Sequence, residues 1–310
     1  MKKIFFISIP LILLVVTCSK DDSISPVEDI ITIDSLKINR KVLVVGIDGF
    51  RSDAMQENIT PFIHNLSQTS NSYYTDKHIV ESITYSGPNW SSILTGVHMD
   101  KHNVTDNSFD NSNYNEYPSF FHYIEKANSD INTASIVNWT PINAYTLSTD
   151  PDFSPTNSIN DFEVFEHVKN ILLNSSDIEA DVLFLQFDEL DGTGHTYGFS
   201  PEVEEYTNYA NILDSYSEEL FNILKNRRAN GEDWMFFIVS DHGGEGTAHG
   251  DSSDPNINQT IFLAQHPELI FKANCCYTSS QADIAPTILN FLGISSSEFE
   301  SNTDGSSVLE

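Results

Sequence analysis

The chain has 310 residues, 39% of them apolar, which is enough for one large core or at most two. Fifteen Lys and Arg stand against 45 Asp and Glu, a formal net charge of −30. Phosphate polymers need a basic surface, so a nucleic-acid polymer is excluded as a bulk partner and the acidity reads as a solvated surface.

Residues 1–18 read as an export signal. Lys2 and Lys3 precede an apolar run over residues 4–16 that is too short to span a bilayer permanently. The segment ending Val15-Val16-Thr17-Cys18 resembles a bacterial lipoprotein signal, in which Cys18 becomes the lipidated first residue. Ser19-Lys20-Asp21-Asp22 resembles the surface-export signal of Bacteroidetes lipoproteins. The resemblance implies an extracytoplasmic protein anchored to the outer membrane through Cys18 and exposed at the cell surface. The plainer alternative makes Cys18 a chance residue of a secretory signal. Residues 19–40 are polar and read as a flexible tether.

A single domain is expected over residues 41–310. Residues 41–47 form a continuous β-branched run, as in a strand buried on both faces. Thr60-Pro61 opens a helix, with Thr60 as its N-cap. Pro88 opens another, running to Leu94 and stopped by Gly96. The Asn- and Ser-rich stretch over residues 103–115 reads as a loop. Strands are predicted over residues 133–137, 181–187 and 234–239, and helices over residues 162–173, 202–226 and 281–292. In the longest helix Tyr206, Tyr209, Leu213, Tyr216, Leu220 and Leu224 recur at steps of three and four. Alternating strands and helices predict an α/β fold, a three-layer α/β/α sandwich around a mostly parallel sheet. The adjacent Cys275 and Cys276 rarely reach disulfide geometry as neighbours, so no disulfide framework is expected and they read as buried thiols.

Asp48, Asp191 and Asp241 each stand just past the C-terminal end of a predicted strand, the edge where open α/β sheets bind ligands. Three carboxylates on one edge repel unless cations neutralise them. His195 follows Asp191 with Gly192 and Gly194 between, which reads as a tight turn that lets both side chains meet one ion. His242 adjoins Asp241, and His249 lies seven residues further on. Carboxylate oxygen with imidazole nitrogen suits zinc ahead of manganese. His266, followed by Pro267, competes with His249 as a ligand, but a surface role is expected for it. Asp188 and Glu189 read as solvated charges, and His102 as a structural hydrogen-bonding residue. A nucleophile belongs between two ions, at a helix N-terminus. Ser86, as the N-cap of the Pro88 helix, fits that place; Thr84 is the rival hydroxyl.

These motifs resemble the alkaline phosphatase superfamily, and within it the type I phosphodiesterase/nucleotide pyrophosphatase branch. The residues that carry the resemblance are Ile47 to Arg51, Thr60-Pro61-Phe62, Ser86-Gly87-Pro88-Asn89-Trp90 and Lys101 to Asn107. Asp191 to His195, Ser240 to Gly243, Ala285 to Leu289 and Asp304 to Leu309 complete it. The resemblance implies an alkaline phosphatase-like fold and two divalent ions, with zinc expected. Asp191, His195 and His249 hold one ion; Asp48, Ser86, Asp241 and His242 hold the other. It implies attack by Ser86, a phospho-Ser86 intermediate, and stabilisation of the phosphoryl group by Asn107. The interval of 21 residues from Ser86 to Asn107 matches the family and supports Ser86 over Thr84. Ser replaces the usual Thr at position 86, and His249 follows His242 more closely than in the longer enzymes.

A small phosphate ester is therefore the expected partner, and a diester ahead of a monoester. Monoesterases clamp the extra charge with Arg, and only Arg51 lies near the motifs. A sulfatase needs Arg where Trp90 stands. Tyr85, Trp90 and Trp139 are candidate stacking surfaces. A non-catalytic surface lipoprotein that binds a ligand is the alternative outside enzymes. Nothing in the sequence fixes the oligomeric state.

Overall fold

The computed structural model of the protein describes residues 33, 34, 37, 39–273 and 278–310. The export signal with Cys18, most of the predicted tether, and Cys275 and Cys276 lie outside the described residues. Six strands form one sheet: β1 (Arg40–Ile47), β2 (Ser72–Ile79), β3 (Thr133–Val137), β4 (Val182–Phe187), β5 (Asp233–Val239) and β6 (Gln259–Gln265). Their order is β2-β6-β5-β1-β4-β3. Strands β5, β1, β4 and β3 run parallel to one another, whereas β6 is antiparallel to both of its neighbours.

The helices are α1 (Pro61–Ser67), α2 (Ser86–Thr95), α3 (Met99–His102), α4 (Phe120–Ala127), α5 (Asp161–Leu172), α6 (Glu189–Tyr197), α7 (Glu204–Ala229), α8 (Pro255–Asn258) and α9 (Ile284–Leu292). Alternate side chains of β1 enter opposite cores, as the pleat requires. Val42 and Val44 pack with Trp90 of α2, Phe121 of α4 and Ile288 of α9. Leu43, Val45 and Ile47 pack with Ile63 of α1, Val168 of α5 and Leu213 of α7. Helices therefore cover both faces of a mostly parallel sheet, which is the expected three-layer α/β/α sandwich.

Local sequence explains several boundaries. Asn160 and Glu163 form a reciprocal capping box at the start of α5, each backbone N–H donating 2.9 Å to the other side chain. Thr60 stands at the N-cap of α1, but its side chain makes no capping bond. Helix α2 begins at Ser86, two residues before Pro88, so Ser86 lies in the first turn and Tyr85 holds the N-cap position. The predicted C-terminal helix starts as a 3-10 turn, Gln281–Asp283, before α9. Within the predicted tether, Ile33 pairs with Ile294, and the Asp34 N–H donates 2.8 Å to the Gly293 carbonyl.

The register sets the site. Ile47 lies opposite Phe187, and Gly46 opposite Val239. The C-terminal ends of β1, β4 and β5 are thus level, and the loops that follow them emerge side by side.

Candidate metal centre

Asp48 follows β1 directly and is fully buried. Gly49 turns the chain there with φ +70°, and a Cβ on it would lie 2.9 Å from the Asp191 Cα. A side chain at that position would push β1 and α6 apart. Trp90 Nε1 (2.8 Å) and Gln186 Nε2 (3.1 Å) both donate to Asp48 Oδ2. Oδ1 has no hydrogen-bond partner and faces His242 Nε2 at 3.5 Å. Trp90 is fully buried and so is no stacking surface; it aims a carboxylate.

Asp191 and His195 do not sit on a glycine-bent turn. They stand one turn apart on α6, with His195 Nε2 3.3 Å from Asp191 Oδ2. The glycines that suggested a turn lie within the helix, and the i,i+4 spacing places both side chains on one helix face. Asp241 and His242 leave β5 and are fully buried. The backbone carbonyls of Ser240 and Asp241 accept Gln281 Nε2 at 3.0 and 2.7 Å, which fixes that loop.

The three imidazoles share one arrangement. Nδ1 of His242 donates to the Gly243 carbonyl (2.8 Å), that of His249 to Thr84 (2.7 Å), and that of His195 to Thr247 (2.9 Å). A carbonyl only accepts, so each Nδ1 carries the proton and each Nε2 is turned to the same centre. There His249 Nε2 lies 3.2 Å from His195 Nε2 and 4.0 Å from Asp191 Oδ1. His242 Nε2 lies 3.3 Å from Asp241 Oδ2. The rings of His242 and His249 stack at 3.9 Å.

Electrostatics make this centre costly for the chain alone. Asp48 Oδ1, Asp191 Oδ1 and Asp241 Oδ2 are buried with no hydrogen-bond partner. Burial, then Asp241 and Asp191, hold the Asp48 carboxyl well above the usual range, and burial pushes Asp241 up to about 6. Burial also raises Asp191, but the bond from His195 and the charge of the imidazoles outweigh it and bring it down. His195 is pushed up to about 9 by its bond to Asp191, whereas burial and then His242 lower His249 to about 4. Orphaned carboxylate oxygens beside aimed Nε2 atoms fit a divalent cation of the zinc type. Among the described residues two groups have ligand atoms within 4.8 Å of one another: Asp191, His195 and His249, and Asp48, Asp191 and His242. Asp191 thus stands between the two.

Ser86 Oγ lies 3.4 Å from His242 Nε2, in the first turn of α2. Thr84 is committed elsewhere, since its hydroxyl donates to the His249 carbonyl. The Gly87 N–H donates 2.8 Å to Asn107 Oδ1, which leaves the amide of Asn107 as its donor side. A Cβ on Gly87 would lie 2.7 Å from the Asp106 carbonyl, so only glycine lets this loop approach the helix start.

Other expected roles change. Arg51 is buried and donates to Asp53 (2.7 Å), Glu245 (2.8 Å) and the carbonyls of Phe199 (2.6 Å) and Gly244 (3.2 Å). It ties loops together and holds no charge in reserve. Asp188 and Glu189 are not simply solvated. Burial pushes Asp188 up to about 7, and Glu189 accepts the Tyr209 hydroxyl at 2.7 Å. His266 is buried at the opposite sheet edge, 2.6 Å from Asp233, because β6 runs against the other strands. His102 bonds Ser92 Oγ at 2.9 Å, as a structural residue. Trp139 packs on Phe109 at 5.8 Å, and Tyr85 is 45% exposed beside the His249 ring. Sequence reasoning missed Gln186 and Gln281, which lie in a strand and a turn without any local signature.

Residues 42–269 match the type I phosphodiesterase/nucleotide pyrophosphatase family. The bis(5'-adenosyl)-triphosphatase ENPP4 of Bos taurus is 27% identical over 224 residues, 66% of this chain and 47% of that protein. The ectonucleotide pyrophosphatase/phosphodiesterase family member 7 of Rattus norvegicus is 24% identical over 225 residues, 66% of this chain and 49% of that protein. The chain spans about half the length of these curated relatives. An inactive murine ENPP5 in complex with AMP superposes with a TM-score of 0.65 at 16% identity, covering 87% of this chain and 100% of that one. A 2-O GAG sulfatase does so with a TM-score of 0.65 at 14% identity, covering 86% and 73%. At such identities the structural likeness is one of fold. The family match spans most of the chain and includes the three carboxylates, the three imidazoles and Ser86, and by it the chain belongs to the type I phosphodiesterase/nucleotide pyrophosphatase family.

Proposed function

We propose that the protein hydrolyses small phosphate diesters or phosphoanhydrides with two divalent ions, zinc in the first instance. Asp191, His195 and His249 hold one ion; Asp48, Ser86, Asp241 and His242 hold the other. The observation that carries this reading is the convergence of three orphaned carboxylate oxygens on Nε2 atoms beside Ser86 Oγ. When bound, the ions neutralise phosphate charge and lower the pKa of the hydroxyl and of water.

The chain's own residues do the rest. Ser86 Oγ sits in the first turn of α2, at the positive end of the helix dipole, which favours an anion. As the hydroxyl gives up its proton to solvent, its bond to phosphorus forms while the bond to the leaving oxygen breaks, and that oxygen departs and takes up a proton from water, giving phospho-Ser86 and an alcohol. Asn107, held by the Gly87 N–H, turns its amide donor toward the phosphoryl oxygens and stabilises the charge that develops. Water then cleaves the phospho-serine and restores the hydroxyl. Arg51 is spent on Asp53 and Glu245, so the site lacks the guanidinium that a monoester dianion would require.

The test measures the zinc-loaded chain on bis-p-nitrophenyl phosphate, p-nitrophenyl phosphate and p-nitrophenyl sulfate. The diester is expected to be turned over fastest, and Ser86→Ala to lower its kcat by roughly 10³-fold or more. Equal rates for Ser86→Ala and wild type would remove Ser86 from this role, and a preference for the sulfate would replace the reading with a sulfatase. We place the enzyme outside the cytoplasm, lipid-anchored through Cys18. Metabolic labelling with palmitate is expected to mark wild type and not Cys18→Ser.

A further inference from the structure

Helix α6 carries Asp191 and His195, yet its N-cap residue, Asp188, makes no capping bond with its own side chain. Two glycines within the helix weaken it further. Its first N–H groups are satisfied from a distance. Asp161, the fully buried first residue of α5, accepts the Asp188 N–H at 2.8 Å and the Glu189 N–H at 3.1 Å. Asn138 Nδ2 donates to the same carboxylate at 2.8 Å, and the Tyr209 hydroxyl of α7 lies at 3.2 Å. The tie is reciprocal, because the Asp161 N–H donates to Glu189 Oε2 at 3.0 Å. A carboxylate at a helix start suits the positive end of the dipole as well as the unpaired N–H groups.

We infer that Asp161 is a positioning residue for the metal centre: it caps α6 from another helix and so sets where Asp191 and His195 stand. The inference rests on the proposed metal reading of those two residues. Because both lie on one helix face, a shift at the start of α6 moves them together. Asp161→Asn keeps the shape but turns one acceptor oxygen into an N–H donor facing a backbone N–H. Partners behind metal ligands typically change affinity by about 10–100-fold when altered.

The experiment titrates zinc into the full chain against a chromophoric chelator and follows diester turnover at rising zinc. Asp161→Asn is expected to bind zinc about 10-fold more weakly or worse, with KM within about twofold of wild type and with kcat recovering in excess zinc. Zinc also rescues a merely destabilised chain by mass action, so the titration is run where circular dichroism shows the zinc-free variant fully folded; weaker binding by an already folded chain is the response that general destabilisation would not give. If Asp161→Asn is not obtained folded, Asn138→Ala, which removes one donor to the same carboxylate, is expected to weaken zinc binding about threefold or more. Zinc affinity within twofold of wild type in whichever variant folds overturns this inference alone. A wild-type chain that binds no zinc overturns the metal reading and this inference with it.

Discussion

The two ends of the central sheet treat charge in opposite ways. At the N-terminal ends of β1, β4 and β5 the carboxylates Asp181, Glu232 and Asp233 each meet a cationic or imidazole partner from the chain. Lys41 pairs with Asp181, Arg40 with Asp233 at 3.1 Å, His266 with the same Asp233 at 2.6 Å, and Arg227 with Glu232 at 2.5 Å. At the C-terminal ends Asp48, Asp191 and Asp241 gather without a lysine or arginine, and each keeps an oxygen with no hydrogen bond. One end is self-neutralised and contributes to stability. The other is left short of positive charge, which the fold tolerates only where something outside the chain supplies it.

The largest effect that would sharpen this contrast is metal removal. Chelation is expected to abolish turnover and lower stability by about 3–4 kcal/mol relative to protein at 100–1,000 times the dissociation constant. Calorimetry with and without added zinc measures it, and an unchanged melting temperature in the stripped protein would erase the contrast. A smaller effect is expected from Trp90→Phe, which deletes one of the two donors to Asp48 Oδ2. Its kcat/KM should fall about 10-fold, the loss typical of groups that orient metal ligands; steady-state kinetics on the diester decides it.

At the other end Lys41→Met should cost only about 1 kcal/mol in urea unfolding, as expected for a partly exposed pair, and leave kcat within twofold. A change in zinc affinity in that variant would mean that the two ends are coupled.

The smallest effect is a pH slope. Burial lifts the Asp161 carboxyl from its ordinary 3.8 to about 6. Between those values the folded chain holds a proton that the unfolded chain releases, so this group adds stability as pH falls and loses it as pH rises through about 6. Urea midpoints between pH 4 and 7 should therefore slope less steeply in Asp161→Asn than in wild type. Parallel slopes would show that Asp161 does not titrate there.

Much of the candidate metal centre was legible because its residues follow apolar runs that could only be buried strands. Residues 41–47, 181–187 and 234–239 point Asp48, Asp191 and Asp241 to one edge before any coordinates are known. The helix under Asp191 was not legible. Gly192 and Gly194 lower its propensity, and what holds it are Asp161 from 30 positions earlier and Phe199, whose ring would lie 2.3 Å from a Cβ on Gly194. Strand β2 carries Asp76 and Lys77 and is half exposed, so its alternation is blurred. Strand β6 is a short apolar run whose antiparallel pairing depends on β2 and β5 and not on its own residues. That reversal is why His266 lies at the far edge although His249, close by in sequence, lies in the centre. Trp90 reads as an aromatic platform until its burial shows the indole N–H to be the useful part.

The donation of His195 Nδ1 to the main-chain oxygen of Thr247 has a consequence for sequence drift. That oxygen belongs to the peptide unit and is present whichever amino acid occupies position 247. The ring's heading is thus inherited from the path of the chain, and mutation at position 247 is free to wander so long as that path survives.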